Sequence, residues 1–294
     1  RRRATIEPTL FARSPIDRAM EVVAPAARDA QELRLAAELP ASVRLGTSSW
    51  SFPGWRGLVY APAAPSASLA SCGLAAYAHH PLRRTVGLDR SFYETPSLHA
   101  LQELASQVPD GFHFVVKAHQ ACTRPHVQSG GSTIGSTVTA RAHGALNGRF
   151  LDAAWAADHV VAPAVQGLAH ACGPILFQFP SLSFGPREAL AHQDHLLDRL
   201  HAFLSALPRG PRYAVEVRND VLLRGAACTR LVHLLQDTGV VPALGLIPTM
   251  PGAASAVESL RGAGWQPVRS PFVLVRWLLG HQLGYQEARQ RFEP

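Results

Sequence analysis

The sequence predicts an α/β fold of the TIM-like (β/α) barrel type, and three observations predict it. Apolar runs of strand length alternate with segments of helical apolar spacing, the pattern of parallel βαβ units. Seven such runs occur in order, and several turn polar at their last residues, namely Asp89, Lys117, Gln178, Glu216 with Arg218, and Arg276. Burying isolated charges is costly unless they pair, so polar ends repeated on successive strands mark one shared mouth. In a parallel barrel that mouth is the active-site face.

The elements follow from local signals. Residues 26 to 39, AARDAQELRLAAEL, combine good helix formers with helical spacing, which predicts a helix outside the barrel or closing its lower end. The first strand is expected over Val43–Thr47. After it, SSWSFPGWRGLVYAP has the composition of a long loop placed by a scaffold. A helix over Leu69–Ala78 precedes the second strand, Thr85–Asp89. Ser97 is a suitable N-cap for a helix over Leu98–Gln107, and the turn at Pro109–Gly111 leads into the third strand, Phe112–Lys117.

Residues 118–149 break this rhythm, being rich in Gly, Ser, Thr and His, and are expected to form an insertion or lid. The segment SGGSTIGST lacks the terminal GK[ST] of a phosphate loop. Helical pieces over Phe150–His159 and on to His170 lead to the fourth strand, Pro174–Phe179. A strongly periodic helix over Arg187–Leu207 stops at Pro208-Arg209-Gly210, before the fifth strand, Tyr213–Arg218. Two further helix and strand pairs follow: Thr229–Thr238 with Val240–Leu246, and Ala254–Arg261 with Phe272–Trp277. A barrel closes when its last strand pairs with its first. Only a helix start over Tyr285–Phe292 follows Trp277, so the eighth strand is expected beyond Pro294, and residues 1–42 form an N-terminal extension to a domain over 43–294.

Composition narrows the function classes. The chain has 294 residues, 47% of them apolar, enough for one large core. Its formal net charge is +7, and the excess is spread along the chain and comes mostly from arginine. Four cysteines lie far apart with no CxxC pair, which argues against a zinc ribbon or a disulfide scaffold and for free thiols in a reducing cytoplasm. With no run of eighteen apolar residues and no apolar signal core, neither membrane insertion nor secretion is predicted.

Six motifs, GTSSWSFPGWRGLVY, TVGLDRSFYETPS, GFHFVVKA, GPILFQFP, YAVEVRN and PFVLVRW, occur in this order. Together they resemble the YecE-like family, domain of unknown function 72, over roughly residues 43 to 294. The resemblance implies a TIM-like barrel and implies no reaction. It also marks two departures. The second-strand motif of the family resembles VEINSTFY, and here its acidic position is Gly87 and its Asn position is Asp89. The Asn-Asn strand that usually ends family members has no counterpart.

The fifth strand carries the leading candidates. Side chains alternate along a strand, so Glu216 and Arg218 share a face. Glu216 is the acid/base candidate, with Lys117 and Asp89 as further catalytic candidates, and nearby cations would hold Glu216 ionised. Arg218, Arg276 and Gln178 are expected to bind substrate, together with Ser48, Trp50 and Tyr93. Six of these have a structural alternative: an ion pair for Glu216 and Arg218, a solvated strand end for Lys117, stacking on Trp277 for Arg276, backbone satisfaction for Gln178, and a core plug for Trp50. His192, His195 and Asp198 have helical spacing on an outer helix, away from the strand ends, and no metal or cofactor is indicated. The leading expectation is an enzyme with a small anionic or polyhydroxylated substrate. The alternatives are a nucleic-acid binding or processing protein, using the basic charge and tryptophan stacking, and a degenerate barrel that binds without turnover.

Overall fold

The structure, a computed structural model, describes residues 23–127, 145–182, 189–247, 249–278 and 287, with the side chains of 189–192 excepted. Seven strands alternate with helices: β1 (Leu45–Thr47), β2 (Arg83–Leu88), β3 (His113–Lys117), β4 (Cys172–Gln178), β5 (Tyr213–Glu216), β6 (Val241–Leu246) and β7 (Leu274–Trp277). Every defined register is parallel. This is the α/β, TIM-like class, and the seven strands are those the apolar runs predict.

The chain divides into two compact units. One comprises Arg1–Val116 with Pro163–Gly173, and the other Lys117–Ala162 with Pro174–Pro294. In the first unit, β1 pairs with β2 and β2 with β3. Tyr77, on α3 (Leu74–Ala78), joins the first pair: its hydroxyl accepts from Thr47 N–H at 3.0 Å and donates to Thr85 O at 3.1 Å. Its ring packs edge-on against Phe112, which packs edge-on against Phe114. One aromatic side chain thus serves both the core and the strand register.

The first helix, α1 (Ala30–Glu38), begins later than its periodicity predicts because Asp29 is an N-cap, its carboxylate accepting from Glu32 N–H at 2.7 Å. None of its residues is buried. Its far end is held by Arg84 of β2, whose guanidinium donates to the carbonyls of Ala36, Leu39, Pro40 and Val43. These include carbonyls that a helix C-terminus leaves unpaired, and a cation favours that end of the dipole.

In the second unit, β4, β5, β6 and β7 pair in that order. The long helix α8 (Ala189–Ser205) and α9 (Gly225–Thr238) supply apolar side chains to the core, where Phe203 meets Phe177 edge-on at 5.1 Å. Gly239 closes α9 in the left-handed conformation, φ 69°, which a side chain would oppose. A small apolar cavity lies among Val215, Leu231, Leu235, Leu244, Met250 and Leu260.

Several boundaries differ from the sequence reading. β2 ends at Leu88, and Asp89 begins a 3₁₀ turn, Asp89–Phe92. β5 ends at Glu216, so Arg218 lies just past the strand. The helix expected from Phe150 begins at Ala153, because Leu151 takes a positive φ of 58° and Asp152 caps the turn through Trp155 N–H. Residues 128–144 of the expected insertion lie outside the described residues. So does the expected helix Tyr285–Phe292, except for Glu287.

Candidate functional site

Four candidate side chains converge at one end of the second unit. Gln178 ends β4, Glu216 ends β5, and these two are register partners. Arg276 is the penultimate residue of β7, and Arg218 follows β5 by two residues. Because the strands are parallel, all four stand at C-terminal strand ends. This is the face on which barrel enzymes carry their chemistry.

The hydrogen bonds converge on two acceptor groups. Arg218 Nε donates to Glu216 Oε1 at 2.9 Å, and Arg276 Nη1 donates to Glu216 Oε2 at 2.8 Å. The Gln178 carbonyl oxygen accepts from Arg218 Nη2 at 3.0 Å and from Arg276 Nη1 at 2.9 Å. Both guanidiniums are therefore oriented by the same carboxylate and the same amide. Glu216 is wholly buried, whereas Arg276 is 12% and Arg218 26% exposed. Among these four side chains two guanidiniums face one carboxylate, both of whose oxygens are engaged.

Burial by itself would raise the Glu216 pKa, but the charges and hydrogen bonds of Arg276 and Arg218 outweigh it and hold the carboxyl below its ordinary value. The group is thus an ionised carboxylate in its resting state. Oriented guanidiniums of this kind suit carboxylate or phosphate oxygens, which they meet through two donors at once.

The loops beyond the cluster are also tied. Asn219 accepts from Leu182 N–H at 2.8 Å and donates to Leu182 O at 2.7 Å, which fastens the segment after β4 to the one after β5. Lys117 ends β3 and is buried. Its neighbour Ala118 donates its N–H to Leu176 O on β4 at 2.9 Å.

The remaining candidates lie in the first unit. Ser48 is exposed and Asp89 is half-buried, and the two flank Gly87: a Cβ there would stand 3.2 Å from Ser48 Cα and 3.3 Å from Asp89 Oδ1. The Asp89 carboxylate thus leans into space that a side chain at 87 would use. Tyr93 is 46% exposed, with its ring edge-on to Phe92. Trp50 is 4% exposed and donates its indole N–H to Ala70 O at 3.2 Å, which makes it a core side chain.

Two residues beside the site escape sequence reasoning. Asn219 sits inside the YAVEVRN motif without a charge to flag it. Gly245, on β6, is marked only by parity, since Ala243 and Gly245 leave one face of that strand without bulk. On the outer helices, Asp194 and Asp198 are both engaged by Arg230. Among the described residues no group of three His, Cys, Asp or Glu side chains is arranged to hold a metal. No helix among them is long and apolar enough to cross a membrane.

The family model described as protein of unknown function DUF72 matches residues 44–294. Among solved structures, the chain is similar to a DUF72 family protein from Enterococcus faecalis V583, with 19% identity and a TM-score of 0.43. That match covers 71% of this chain and 65% of the other. A DUF72 family protein from Thermotoga maritima MSB8 is also similar, with 19% identity, a TM-score of 0.44, and coverage of 70% and 66% respectively. The chain thus spans about two thirds of the length of these relatives. No curated protein matches the sequence. On the family match, which takes in every strand from β1 to β7, the chain belongs to the DUF72 family.

Proposed function

We propose that this protein is an enzyme acting on a small anionic substrate, phosphorylated or carboxylated, whose anion is received by Arg218 and Arg276. The observation that carries this reading is the shared anchoring of both guanidiniums by Glu216 and Gln178 at the C-terminal strand ends. Preorganised donors lose little freedom on binding, so an anion meets them at low entropic cost.

Glu216 has two roles in this reading. At rest both of its oxygens accept from guanidiniums, and it orients the arginines. When an anion draws on Arg218, the cation nearest Glu216 Oε1 is offset, and the carboxylate becomes a stronger base. Lys117, at the end of β3, is the second acid/base candidate.

The positive charge is gathered on two arginines held by one carboxylate and one amide, which favours a confined anion over a nucleic-acid backbone running along a surface. Isothermal titration with inorganic phosphate and with succinate tests the proposal. The wild-type chain is expected to bind one or both, and Arg218→Ala to bind more weakly. Equal affinity in both proteins, or no heat of binding to either anion, overturns it.

A further inference from the structure

The reach of Arg276 to Glu216 passes over an intervening strand. β6 pairs with β5 on one side and β7 on the other, and the β6 residue in register with Arg276 is Gly245. A Cβ at Gly245 would stand 2.9 Å from Glu216 Cδ and 3.1 Å from both its Cγ and Oε1. These separations are below ordinary contact. A flexible side chain relieves such a clash by turning away, but Glu216 is wholly buried and both of its oxygens are held. Turning it away breaks its bonds to Arg218 and Arg276 together.

We infer that Gly245 is a positioning residue of the arginine pair: its missing side chain is the slot in which the Glu216 carboxylate lies, and through Glu216 it sets both guanidiniums. This rests on the reading of Arg218 and Arg276 as an anion receptor. It assigns Gly245 a role distinct from the usual ones of a strand glycine, since neither a bulge nor a left-handed conformation is involved here. The approach of a functional side chain excludes the Cβ.

The test is a double-mutant cycle between Gly245→Ala and Glu216→Asp, read by inorganic phosphate titration and by thermal melting. Aspartate keeps the charge and is one methylene shorter, so it has no counterpart of Oε1, and its two oxygens can turn about the Cβ–Cγ bond away from the place of Glu216 Cδ, the atom a Cβ at 245 meets most closely. Gly245→Ala alone is expected to weaken phosphate binding by about tenfold or more, the scale of a disturbed charge-assisted contact. With Glu216→Asp already present, adding Gly245→Ala should change affinity by less than about threefold, as uncoupled sites would not.

A glycine needed only for strand packing predicts otherwise: a lower melting temperature with phosphate affinity unchanged, and no relief from Glu216→Asp. That result overturns the inference. If Gly245→Ala does not fold, recovery of folding by the added Glu216→Asp supports the clash, and failure to recover counts against it. If the wild-type chain binds neither phosphate nor succinate, the anion-receptor reading falls. The placement of Glu216 by Gly245 is then still decided by the coupling of the two melting temperatures.

Discussion

Arg276 Nη1 stands 2.8 Å from Glu216 Oε2, although Arg276 lies on β7, Glu216 on β5, and β6 runs between them. The same nitrogen also donates to the Gln178 carbonyl oxygen on β4. One guanidinium therefore links the ends of three strands that are distant in sequence. The energetic weight of the site rests on Glu216, because among these four side chains it is the carboxylate facing both guanidiniums and it is wholly buried.

Replacing that charge by an amide of the same shape should be severe. Glu216→Gln leaves Arg218 and Arg276 facing each other without their counter-charge, and loss of one partner of a buried pair costs about 3 to 5 kcal/mol. Urea denaturation of the variant should show a midpoint lowered accordingly. The same variant should abolish turnover once a substrate is in hand.

The pH dependence has a definite sign. The folded-state pKa of Glu216 lies below its ordinary value of 4.5, so the unfolded chain takes up the proton first as pH falls. Its contribution to stability is complete above about 4.5 and is lost as pH falls through the folded value. Urea midpoints for the wild type and Glu216→Gln should therefore converge as pH falls below 4.5. A gap that stays constant down to acid pH would contradict this.

His80 should add an earlier stage. Its pKa is lowered from 6.5 by burial first and by Arg28 and Arg83 next, against the opposing pull of Glu32, 3.6 Å away. A depressed folded value means that stability held above 6.5 is lost as pH falls toward that value. His80→Gln should flatten the upper part of the acid profile and leave the Glu216 part in place.

Trp50 separates a core role from a ligand wall. Its burial and its bond to Ala70 O predict that Trp50→Ala destabilises the fold by about 3 to 5 kcal/mol, the usual cost for a buried aromatic. Phosphate affinity measured well below the melting temperature should not change.

The parts of the site legible in the sequence are those that break a pattern. A carboxylate or guanidinium in an apolar, period-2 run is conspicuous, and parity alone places Glu216 and Arg218 on one face. The partners they choose are less legible, because contact between β4, β5 and β7 depends on register and on what β6 leaves open. Gly245 carries no charge and no side chain, so its part emerges only when the distance to Glu216 is known. Trp50 lies in a loop whose composition suits either surface or core, and its place is settled by a carbonyl twenty residues away on α2 (Ser66–Cys72). The late start of α1 reflects a competition that periodicity does not register, since Asp29 caps the helix that its neighbours would otherwise extend.

The attachment of α1 has its own consequence. Leu33 and Leu35 remain about half exposed, so little apolar area is hidden when the helix docks. What secures it is polar: the fork of the Arg84 guanidinium grips the last carbonyls, and Glu32 faces His80 at 3.6 Å. An attachment built from polar contacts unfastens with little change in heat capacity and little sensitivity to denaturant, because both scale with surface uncovered. The helix is therefore expected to open independently of the sheet, and hydrogen exchange should show its amides exchanging before those of β2, to which Arg84 belongs.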